Sequence, residues 1–548
     1  MDSGIFGLGI VLSFLVLAVS IAIGVWGRRL TSNLTDYYVA GRSIGAVNNG
    51  LAMISLSLSL TTFLGLTALI LAGFYLAIAI YTAFTASFIA LLILAAPYLR
   101  RHKSFTTMNF LSERFYSRNL RIVSVIIMLV VSILYLIANI KGIGIVFELL
   151  LGIPEIWGIL IGGLVVTLYV TVGGMYGVTY NQTFQSIVLL FAFMFPVMVV
   201  LRTLGASGWL FPPLGYGEMV PAMVEMTPHY FLPFLVHPTW YVAVFMGSFF
   251  GIIGLPHFVM RYFTVREAKE ARWSTVICVF FVGLVNTSVY AIGFAGVYYM
   301  ARQGLTLADI NPDAMVFSLT QALAGSSWLA LAVAGAVAAG ISTIAGLLMI
   351  MGTGLVYDLY AVVKPNISDE RLLKMSAWTM LAIGIIVTLL SLRPPAFILV
   401  TVMWAFAIAG ASFGVPMIMG IWWKRTTKEG AFVGMIVGFL TSFVPYVLIE
   451  MLAWHPTRIH YLFYGPLGWV KVMAISIPLA FIATILVSWF TKEPPLEVKQ
   501  QVDMMHGWKD YEESRYNSKV LPIIILVFCV LIMLSLGTLY DIFSAIPG

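Results

Sequence analysis

Two adjacent hydroxyl residues, Ser342 and Thr343, lie deep inside an uncharged hydrophobic stretch that runs from Leu329 to Leu355. On a helix, Ala339 shares their face, because positions i, i+3 and i+4 coincide. A backbone carbonyl and two hydroxyls form a surface of hard oxygen atoms, which suits a small alkali cation. Small and hydroxyl residues are also common where membrane helices touch, so helix packing is the alternative explanation. If the cation is Na+, the stretch is part of an ion-coupled transporter.

The composition indicates what kind of molecule must position these residues. Of the 548 residues, 61% are hydrophobic and 10% are charged. A soluble protein cannot bury so much apolar surface, so we expect an all-α integral membrane protein. About 14 transmembrane helices of spanning length are predicted, at residues 5–26, 47–71, 75–98, 122–149, 154–175, 179–201, 238–260, 274–300, 328–357, 375–392, 396–423, 430–452, 469–491 and 521–543.

The basic residues are distributed unevenly over the predicted loops. If the N-terminus is outside, the cytoplasmic loops hold all but six of the 30 Lys and Arg residues, the exceptions being Arg202, Arg302, Arg393, Arg458, Lys141 and Lys471. Cytoplasmic loops are enriched in Lys and Arg. We therefore expect a multi-pass protein of the cell (plasma or inner) membrane with both termini outside the cytoplasm. The net charge of +7 follows from this topology and gives no reason to expect nucleic-acid binding.

Sequence motifs of several other functions are absent. The chain has no G-x-x-x-x-G-K-[ST] phosphate loop, no H-E-x-x-H and no paired-cysteine motif, and we do not expect an enzyme or an obligatory protein partner. The few carboxylates of the predicted spans fall near their ends, at Glu148, Glu155, Asp358 and Glu450. Proton-driven carriers often relay protons through buried acids, so this scarcity favours a cation held by neutral oxygens. His257 leaves proton coupling open as an alternative.

Two predicted spans contain signals that interrupt a helix. In the second, residues 54–60 alternate with a strand-like period of two; in the seventh, glycines precede Gly254-Leu255-Pro256-His257. Unwound backbone at membrane depth is tolerated only where it lines a cavity or is buried in protein. The two spans are five apart, which is typical of an inverted-repeat transporter. We therefore expect an ion site near the midplane, between the second and ninth spans. A pair of tolerated Gly/Pro kinks is the alternative.

Several motifs resemble the sodium:solute symporter family. Residues 420–434, GIWWKRTTKEGAFVG, have the basic loop and the Gly-Ala-x-x-Gly of one family signature, and residues 169–175, YVTVGGM, resemble the other. Residues 36–42, DYYVAGR, match the usual approach to the first core helix. Within the family, residues 254–265, GLPHFVMRYFTV, look most like the acetate permease and monocarboxylate branch. The same holds for residues 49–52 taken with 63–65.

The resemblance implies a LeuT-type core with five plus five helices in inverted repeats. This core would comprise residues 47–423, with repeat one at 47–201 and repeat two at 238–423. Residues 1–46 would form an additional N-terminal helix and a cytoplasmic loop. Residues 424–548 would form three additional C-terminal transmembrane helices, with a cytoplasmic loop at 491–519.

The resemblance also implies a set of Na+ ligands, namely the backbone oxygens of Ser55, Leu58 and Ala339 and the hydroxyls of Ser342 and Thr343. None is a carboxylate, so we expect a modest affinity for the ion. Proline carriers of the family have an Asp at the position of Ser57, and sugar carriers have one at the position of Gln182. Neutral residues at both positions suit an anionic substrate, which brings its own negative charge close to Na+.

Polar, aromatic and helix-breaking residues near the breaks are the candidates for substrate binding: Ser57, Ser59, Asn139, Lys141, Gln182, Gly254, His257 and Trp404. Lys141 could pair with a substrate carboxylate, or it could lie near the outer face and extend its ammonium group to the interface. Asn139 and Gln182 could bind substrate or tie helices together. His257 could donate to substrate, titrate or simply pack.

Together these features predict a secondary active transporter in the lipid bilayer that couples Na+ to the uptake of a small, anionic organic solute. A short-chain monocarboxylate such as acetate, propionate, pyruvate or lactate is the first candidate. A carrier of proline, pantothenate or a sugar is an alternative, as is H+ coupling. A transporter-like solute sensor is the alternative from another class.

Overall fold

The computed structural model describes residues 3–71, 77–212, 238–306, 311–393, 398–452, 468–508 and 520–527, with a few single positions near 214–221, 309 and 529. Within these residues the regular structure is helical, with turns and short loops between the helices, and the single β-bridge joins Ile44 to Val265. In the described ranges, nine helices are long and apolar enough to cross a membrane, and the number of spans is twelve if each of three bent pairs is one span.

The first half of the chain contains nine helices: α1 (Ser3–Arg29), α2 (Leu34–Val39), α3 (Ala46–Ser57), α4 (Leu66–Leu71), α5 (Ala77–Leu94), α6 (Ala96–His102), α7 (Thr107–Phe115), α8 (Arg118–Leu151) and α9 (Glu155–Thr203). A π-helical turn, Thr61–Gly65, leads into α4, and a 3-10 turn, Ala40–Arg42, follows α2.

The second half continues with α10 (Pro238–Gly254), α11 (Pro256–Val259), α12 (Arg261–Thr264), α13 (Ala268–Gln303), α14 (Met315–Leu323), α15 (Ser326–Thr353), α16 (Ala361–Val363), α17 (Asp369–Leu390), α18 (Ile398–Ala409), α19 (Val415–Trp422), α20 (Lys428–Tyr446), α21 (Gly468–Phe490) and α22 (Leu496–His506). π-helical turns extend α15, α18 and α20, at Gly354–Tyr360, Gly410–Gly414 and Val447–Met451, and a 3-10 turn at Pro312–Ala314 leads into α14.

The predicted spans correspond to these helices with two differences. The fifth and sixth predicted spans are joined without a loop as α9, which kinks at Gly174, whose φ of +57° favours glycine. The apolar part of α9 before this hinge, Glu155–Leu168, is shorter than the other spans. The fourteenth predicted span, 521–543, lies mostly outside the described residues, so the predicted total of fourteen is not reached in the described part of the chain.

Both predicted helix interruptions are present. The second span bends by 50° between Ala46–Ser57 and Thr61–Leu71, and the seventh bends by 56° between Val244–Gly254 and Pro256–Thr264. A third bend of 47°, between α5 and α6, was not predicted, although Pro97 at the start of α6 is a recognisable signal.

Helix α15 lies at the centre of the bundle and packs against α1, α8, α9 and α17. The apolar window of its span is completely buried. Close packing depends on its small residues: a Cβ added at Gly340 would lie 2.4 Å from the Ile143 side chain, and one added at Gly335 would lie 2.1 Å from the Cβ of Ala192. The hydroxyl pair of α15 is therefore enclosed by protein and does not face lipid.

Backbone hydrogen bonds join a residue just before the first broken span to the residues at the end of the second. The backbone N–H of Ile44, just before α3, donates to the carbonyl of Thr264 at 3.2 Å, and the N–H of Arg266 donates to Ile44 at 3.3 Å. Arg100 adds hydrogen bonds from its guanidinium to the carbonyls of Val265 and Arg266, both at 2.6 Å. The start of one broken span is thus fixed to the end of the other.

Candidate ion and substrate sites

The break in the second span exposes backbone oxygens that a continuous helix would use internally. Helix α3 ends at Ser57, and the next residue, Leu58, has a φ of −90° and a ψ of 62°, which are not helical. The last carbonyls of a helix have no intrahelical partner, so they must be satisfied in another way. Thr62 satisfies one, donating from Oγ1 to the carbonyl of Ser57 at 2.8 Å. The carbonyl of Ser55 is satisfied from α15.

The hydroxyl of Ser342 connects α15 to this break. Ser342 Oγ lies 2.8 Å from the carbonyl oxygen of Ser55 and 2.9 Å from that of Ala339. The next side chain, Thr343, is fully buried, and its Oγ1 has no hydrogen-bond partner among the described residues. Threonines in helices commonly donate to the preceding turn, as Thr353 of the same helix does at 2.8 Å, so the unpaired Thr343 hydroxyl is available for another ligand.

Three of the five predicted Na+ ligands are therefore in contact, and a fourth is the adjacent residue. All four are neutral hard oxygens, which is the donor set that a small alkali cation accepts. Among the described residues, neither hydroxyl of the pair donates a hydrogen bond to the carbonyl of Leu58, the fifth predicted ligand. In the same residues no group of three or more His, Cys, Asp or Glu could hold a metal ion.

A buried arginine lies behind the hydroxyl pair. Gln182 Nε2 donates to the carbonyl of Ser342 at 2.7 Å, and the Gln182 Oε1 accepts from a terminal nitrogen of Arg261. Arg261 also donates to Thr179 Oγ1 at 2.8 Å. Its guanidinium is fully buried, and no carboxylate in the described ranges pairs with it. A buried charge without a counter-charge is costly, so this cation calls for a negative partner.

A second polar group surrounds Tyr135 of α8. The Ser59 hydroxyl lies beside that of Tyr135, and the ring centroids of Tyr135 and His257 are 5.3 Å apart. Asn139 Nδ2 donates to the carbonyl of Tyr135 at 2.9 Å. The other amide atom, Asn139 Oδ1, and both ring nitrogens of His257 are buried without a partner among the described residues. Phe406 closes one side, with its centroid 6.1 Å from that of Tyr135.

The remaining candidates lie elsewhere. Ser57 donates to the carbonyl of Met53 at 2.8 Å within its own helix. Gly254 packs against α18, where an added Cβ would lie 2.1 Å from the carbonyl oxygen of Ala409. Trp404 donates from Nε1 to Glu450 at 3.0 Å. The structure thus brings Ser59, Asn139 and His257 together, whereas Ser57, Gly254 and Trp404 make their contacts elsewhere.

Lys141, ten residues before the end of α8, faces a carboxylate. Its Nζ is 3.9 Å from Asp313 Oδ2, in the 3-10 turn that precedes α14. This turn packs against α4, and Phe317 of α14 lies with its ring centroid 5.8 Å from that of Phe63. Segment 312–323 thus covers the second half of the broken span.

The sequence did not predict that Tyr135 lies among the solute candidates or that Arg261 is buried without a negative partner among the described residues. Tyr135 is an aromatic residue in a long apolar span, where packing is the usual role. The available signal was its spacing, because Asn139 follows it by one turn and shares its face. Nothing in the sequence shows that the side chain of Arg261, one turn beyond a helix break, is fully buried.

Known proteins similar to this chain were found both by sequence and by structure. The family model of the sodium:solute symporter family matches residues 37–438. Among solved structures, a substrate-bound, outward-open Na+-coupled sialic acid symporter is similar with a TM-score of 0.70 and 18% identity, covering 89% of this chain and 98% of that chain. Mhp1, a nucleobase-cation-symport-1 family transporter in a closed conformation, gives a TM-score of 0.50 and 13% identity, covering 86% of this chain and 99% of that chain. These two similarities concern the fold, which is of the predicted LeuT type.

Proposed function

The chain belongs to the sodium:solute symporter family and is a multi-pass membrane protein that transports solute with Na+ as the coupling ion, and we propose that its solute is a short-chain monocarboxylate such as acetate. The proposal rests on one observation, the uncompensated positive charge of Arg261 beside the hydroxyl pair. With Na+ bound, the centre of the molecule would hold two positive charges.

The described carboxylates near the core are already engaged. Asp358 pairs with Arg121 at 2.8 Å, Asp313 lies 3.9 Å from Lys141, and Glu450 accepts from Trp404. An anionic solute would supply the missing negative charge, whereas a neutral sugar or zwitterionic proline would not. The small polar group at Ser59, Asn139 and His257 offers hydrogen bonds to a compact solute and no carboxylate that would repel an anion.

We assign the ion site to the oxygens of Ser55, Leu58, Ala339, Ser342 and Thr343. Ser55 precedes the break and belongs to the ion site, and Ser59 follows it and belongs to the solute group. Ion and solute would therefore both stabilise the same conformation of residues 55–59. Such shared stabilisation corresponds to a coupling free energy of about 1–3 kcal/mol, typical of linked sites.

Uptake into proteoliposomes tests the solute class. We expect an inward Na+ gradient to drive accumulation of labelled acetate, with propionate, pyruvate and lactate competing and proline, pantothenate and glucose failing to compete. Collapse of the Na+ gradient alone should abolish accumulation. Competition by the neutral solutes at equal strength would contradict the proposal, as would uptake that follows only a proton gradient.

The variant Gln182→Glu tests the charge argument directly. Glutamate is isosteric with glutamine and would place a carboxylate against Arg261, so we expect the KM for acetate to rise about tenfold, which corresponds to about 1.4 kcal/mol. The matched control is Gln185→Glu, because Gln185 is buried one turn away and contacts Ser20 at 3.2 Å, on a different helix. An unchanged KM in Gln182→Glu would show that the solute does not compensate Arg261.

A further inference from the structure

A cavity apart from these two sites lies on the face of the predicted cytoplasmic loops. It has a volume of about 760 Å³ and is bounded by residues of five elements: the end of α6, helix α7, the start of α8, helix α16 and helix α22. Pockets for small molecules have volumes of about 300–1,000 Å³. None of the residues assigned to the ion or the solute lines this cavity.

The lining of the cavity is basic, with the cationic side chains of Arg101, Lys103, Arg118 and Arg121. Arg121 is engaged by Asp358 at 2.8 Å, but the other three have no ion-pair partner in the described residues. The carboxylate of the lining, Glu113, accepts from Ser104 at 2.9 Å and lies 3.6 Å from His102. The cations therefore outnumber the acidic groups around the cavity.

The start of α8 adds a second source of positive potential. This helix has 34 residues, and its N-cap Ser117 accepts from the backbone N–H of Leu120 at 3.2 Å. The first N–H groups of a helix have no intrahelical acceptor, and the helix dipole places partial positive charge at this end. Because Ser117 and Arg118 both line the cavity, the positive end of α8 lies at its wall.

Helix α22 contributes Gln501, Met504 and Met505 to the lining. Arg101 donates from Nη1 to the carbonyl of Met505 at 3.1 Å, and Gln501 Nε2 lies 3.4 Å from the hydroxyl of Tyr116. Helix α22 is itself fixed by a buried ion pair of 2.9 Å between Lys424 and Asp503. The elements that line the cavity are thus held in place by hydrogen bonds and a buried ion pair.

We propose that this cavity binds a phosphate-bearing anion. Guanidinium groups bind phosphate oxygens through paired hydrogen bonds, and the Lys103 ammonium and the α8 N-terminus add charge from other directions. A soluble phosphate compound and the headgroup of an anionic phospholipid share this chemistry. The shared wall residue Arg121 connects the site to Asp358, in the extension of α15, the helix that carries Ser342 and Thr343.

Calorimetric titration of the full chain with inorganic pyrophosphate, in nanodiscs of neutral phosphatidylcholine, tests the proposal. We expect saturable binding that weakens about tenfold or more in the double variant Lys103→Gln with Arg118→Gln, because charge-assisted hydrogen bonds are lost. The matched control is Lys269→Gln with Arg272→Gln, which removes the same two charges from exposed positions of α13 outside the cavity. The control should bind within about twofold of the native chain.

Absence of saturable binding to the native chain would overturn the proposal, and so would equal weakening in both double variants. If the cavity double variant is not recovered as a folded protein, Arg118→Gln alone replaces it, because this residue is exposed at a helix end. The same titration in nanodiscs with phosphatidylglycerol, at a salt concentration that screens the bilayer charge, distinguishes the two sources. Weaker pyrophosphate binding there identifies a lipid headgroup as the occupant, and unchanged binding identifies a soluble anion.

Discussion

At the residue scale, the two hydroxyls of α15 have different roles in the fold. Ser342 bridges two helices through its contacts with Ser55 and Ala339, so its loss would affect packing as well as the ion. Thr343 has no hydrogen bond to lose among the described residues. A change at Thr343 therefore separates the ion site from the stability of the bundle.

We predict that Thr343→Val raises the Na+ concentration for half-maximal uptake by about tenfold, which is the effect of about 1.4 kcal/mol. Valine has the same shape, so the amount of folded protein should not change. Ser342→Ala should raise the same concentration and also lower thermal stability. The control is Thr353→Val, three turns along α15, which should leave Na+ dependence unaltered. If the Na+ dependence of Thr343→Val equals that of the native chain, Thr343 is not a ligand.

Residue identities predicted part of this geometry. The spacing of Ala339, Ser342 and Thr343 sufficed to place them on one face, because helical periodicity is local. The contact of Ser342 with Ser55 depends on how two distant spans pack, and only the resemblance to a known family indicated it. Lys141 and Asp313 show the remaining difficulty, since neither position reveals that the chain brings them together.

At the scale of the elements, the break in the second span is stabilised by a side chain. Thr62 Oγ1 replaces the missing backbone donor of the Ser57 carbonyl. An unpaired buried carbonyl costs about 1–3 kcal/mol. The break is thus maintained by a specific hydrogen bond and not only by an absence of helix-forming residues.

Replacing Thr62 by Val should lower the unfolding free energy by about 1–3 kcal/mol, because the Ser57 carbonyl loses its donor. The change is measured by thermal denaturation of the purified chain in detergent. The control Thr67→Val removes a hydroxyl of the same type from α4, which donates to the carbonyl of Phe63 at 2.9 Å, outside the break at Leu58. We expect that variant to differ little from the native chain. Equal losses would mean that the Thr62 hydrogen bond has no special role at the break.

Sequence patterns predicted the two broken spans because a period of two and a Gly-Leu-Pro sequence are local signals. The π-helical turns after α15 and α18, GLVYDLY and GASFG, have no comparable signal, since both begin with a glycine and glycine is frequent in membrane helices. The bend between α5 and α6 was missed although Pro97 marks it, because the predicted span ran through this residue.

At the scale of the whole molecule, segment 312–323 covers the second half of the broken span, and Asp313 faces Lys141. Burial raises the pKa of the Asp313 carboxyl; the Lys141 ammonium opposes this shift, and Glu155 adds to it. If segment 312–323 moved away and exposed Asp313 to water, the carboxyl of Asp313 would have its ordinary pKa. The closed arrangement therefore binds a proton more tightly than an open one, so acidification should favour closure, and this gain should disappear as the pH rises through the raised pKa.

We predict that the cysteine of Phe317→Cys, on the buried side of the segment, reacts with a membrane-impermeant thiol reagent more slowly as the pH falls. Every thiol reacts more slowly in acid because less of it is thiolate, so the rate is divided by that of Ser318→Cys, at the neighbouring exposed position. Combining Phe317→Cys with Asp313→Asn should give slow labelling at every pH, because asparagine resembles the protonated carboxyl. Faster labelling in acid would instead indicate that the ion pair holds the segment closed. The native Cys278 and Cys529 are buried and contribute little background.

The predicted orientation of the chain in the membrane can be tested by cysteine labelling. In intact cells, an impermeant thiol reagent should label Arg302→Cys, and it should label Lys364→Cys only after permeabilisation, because the excess of basic residues places Lys364 on the cytoplasmic side. Both positions are exposed at helix ends. The opposite labelling pattern would invert the topology and place the phosphate-binding cavity outside the cell.

The proposed ion ligands are all uncharged, which determines how the membrane voltage acts on transport. Membrane voltage contributes about 2.3 kcal/mol per elementary charge for every 100 mV. One sodium ion travelling with one carboxylate carries no net charge, so voltage would neither drive nor oppose their joint passage. Accumulation would then depend on the sodium concentration ratio alone, and a measurable electric current would require a second cation in each cycle.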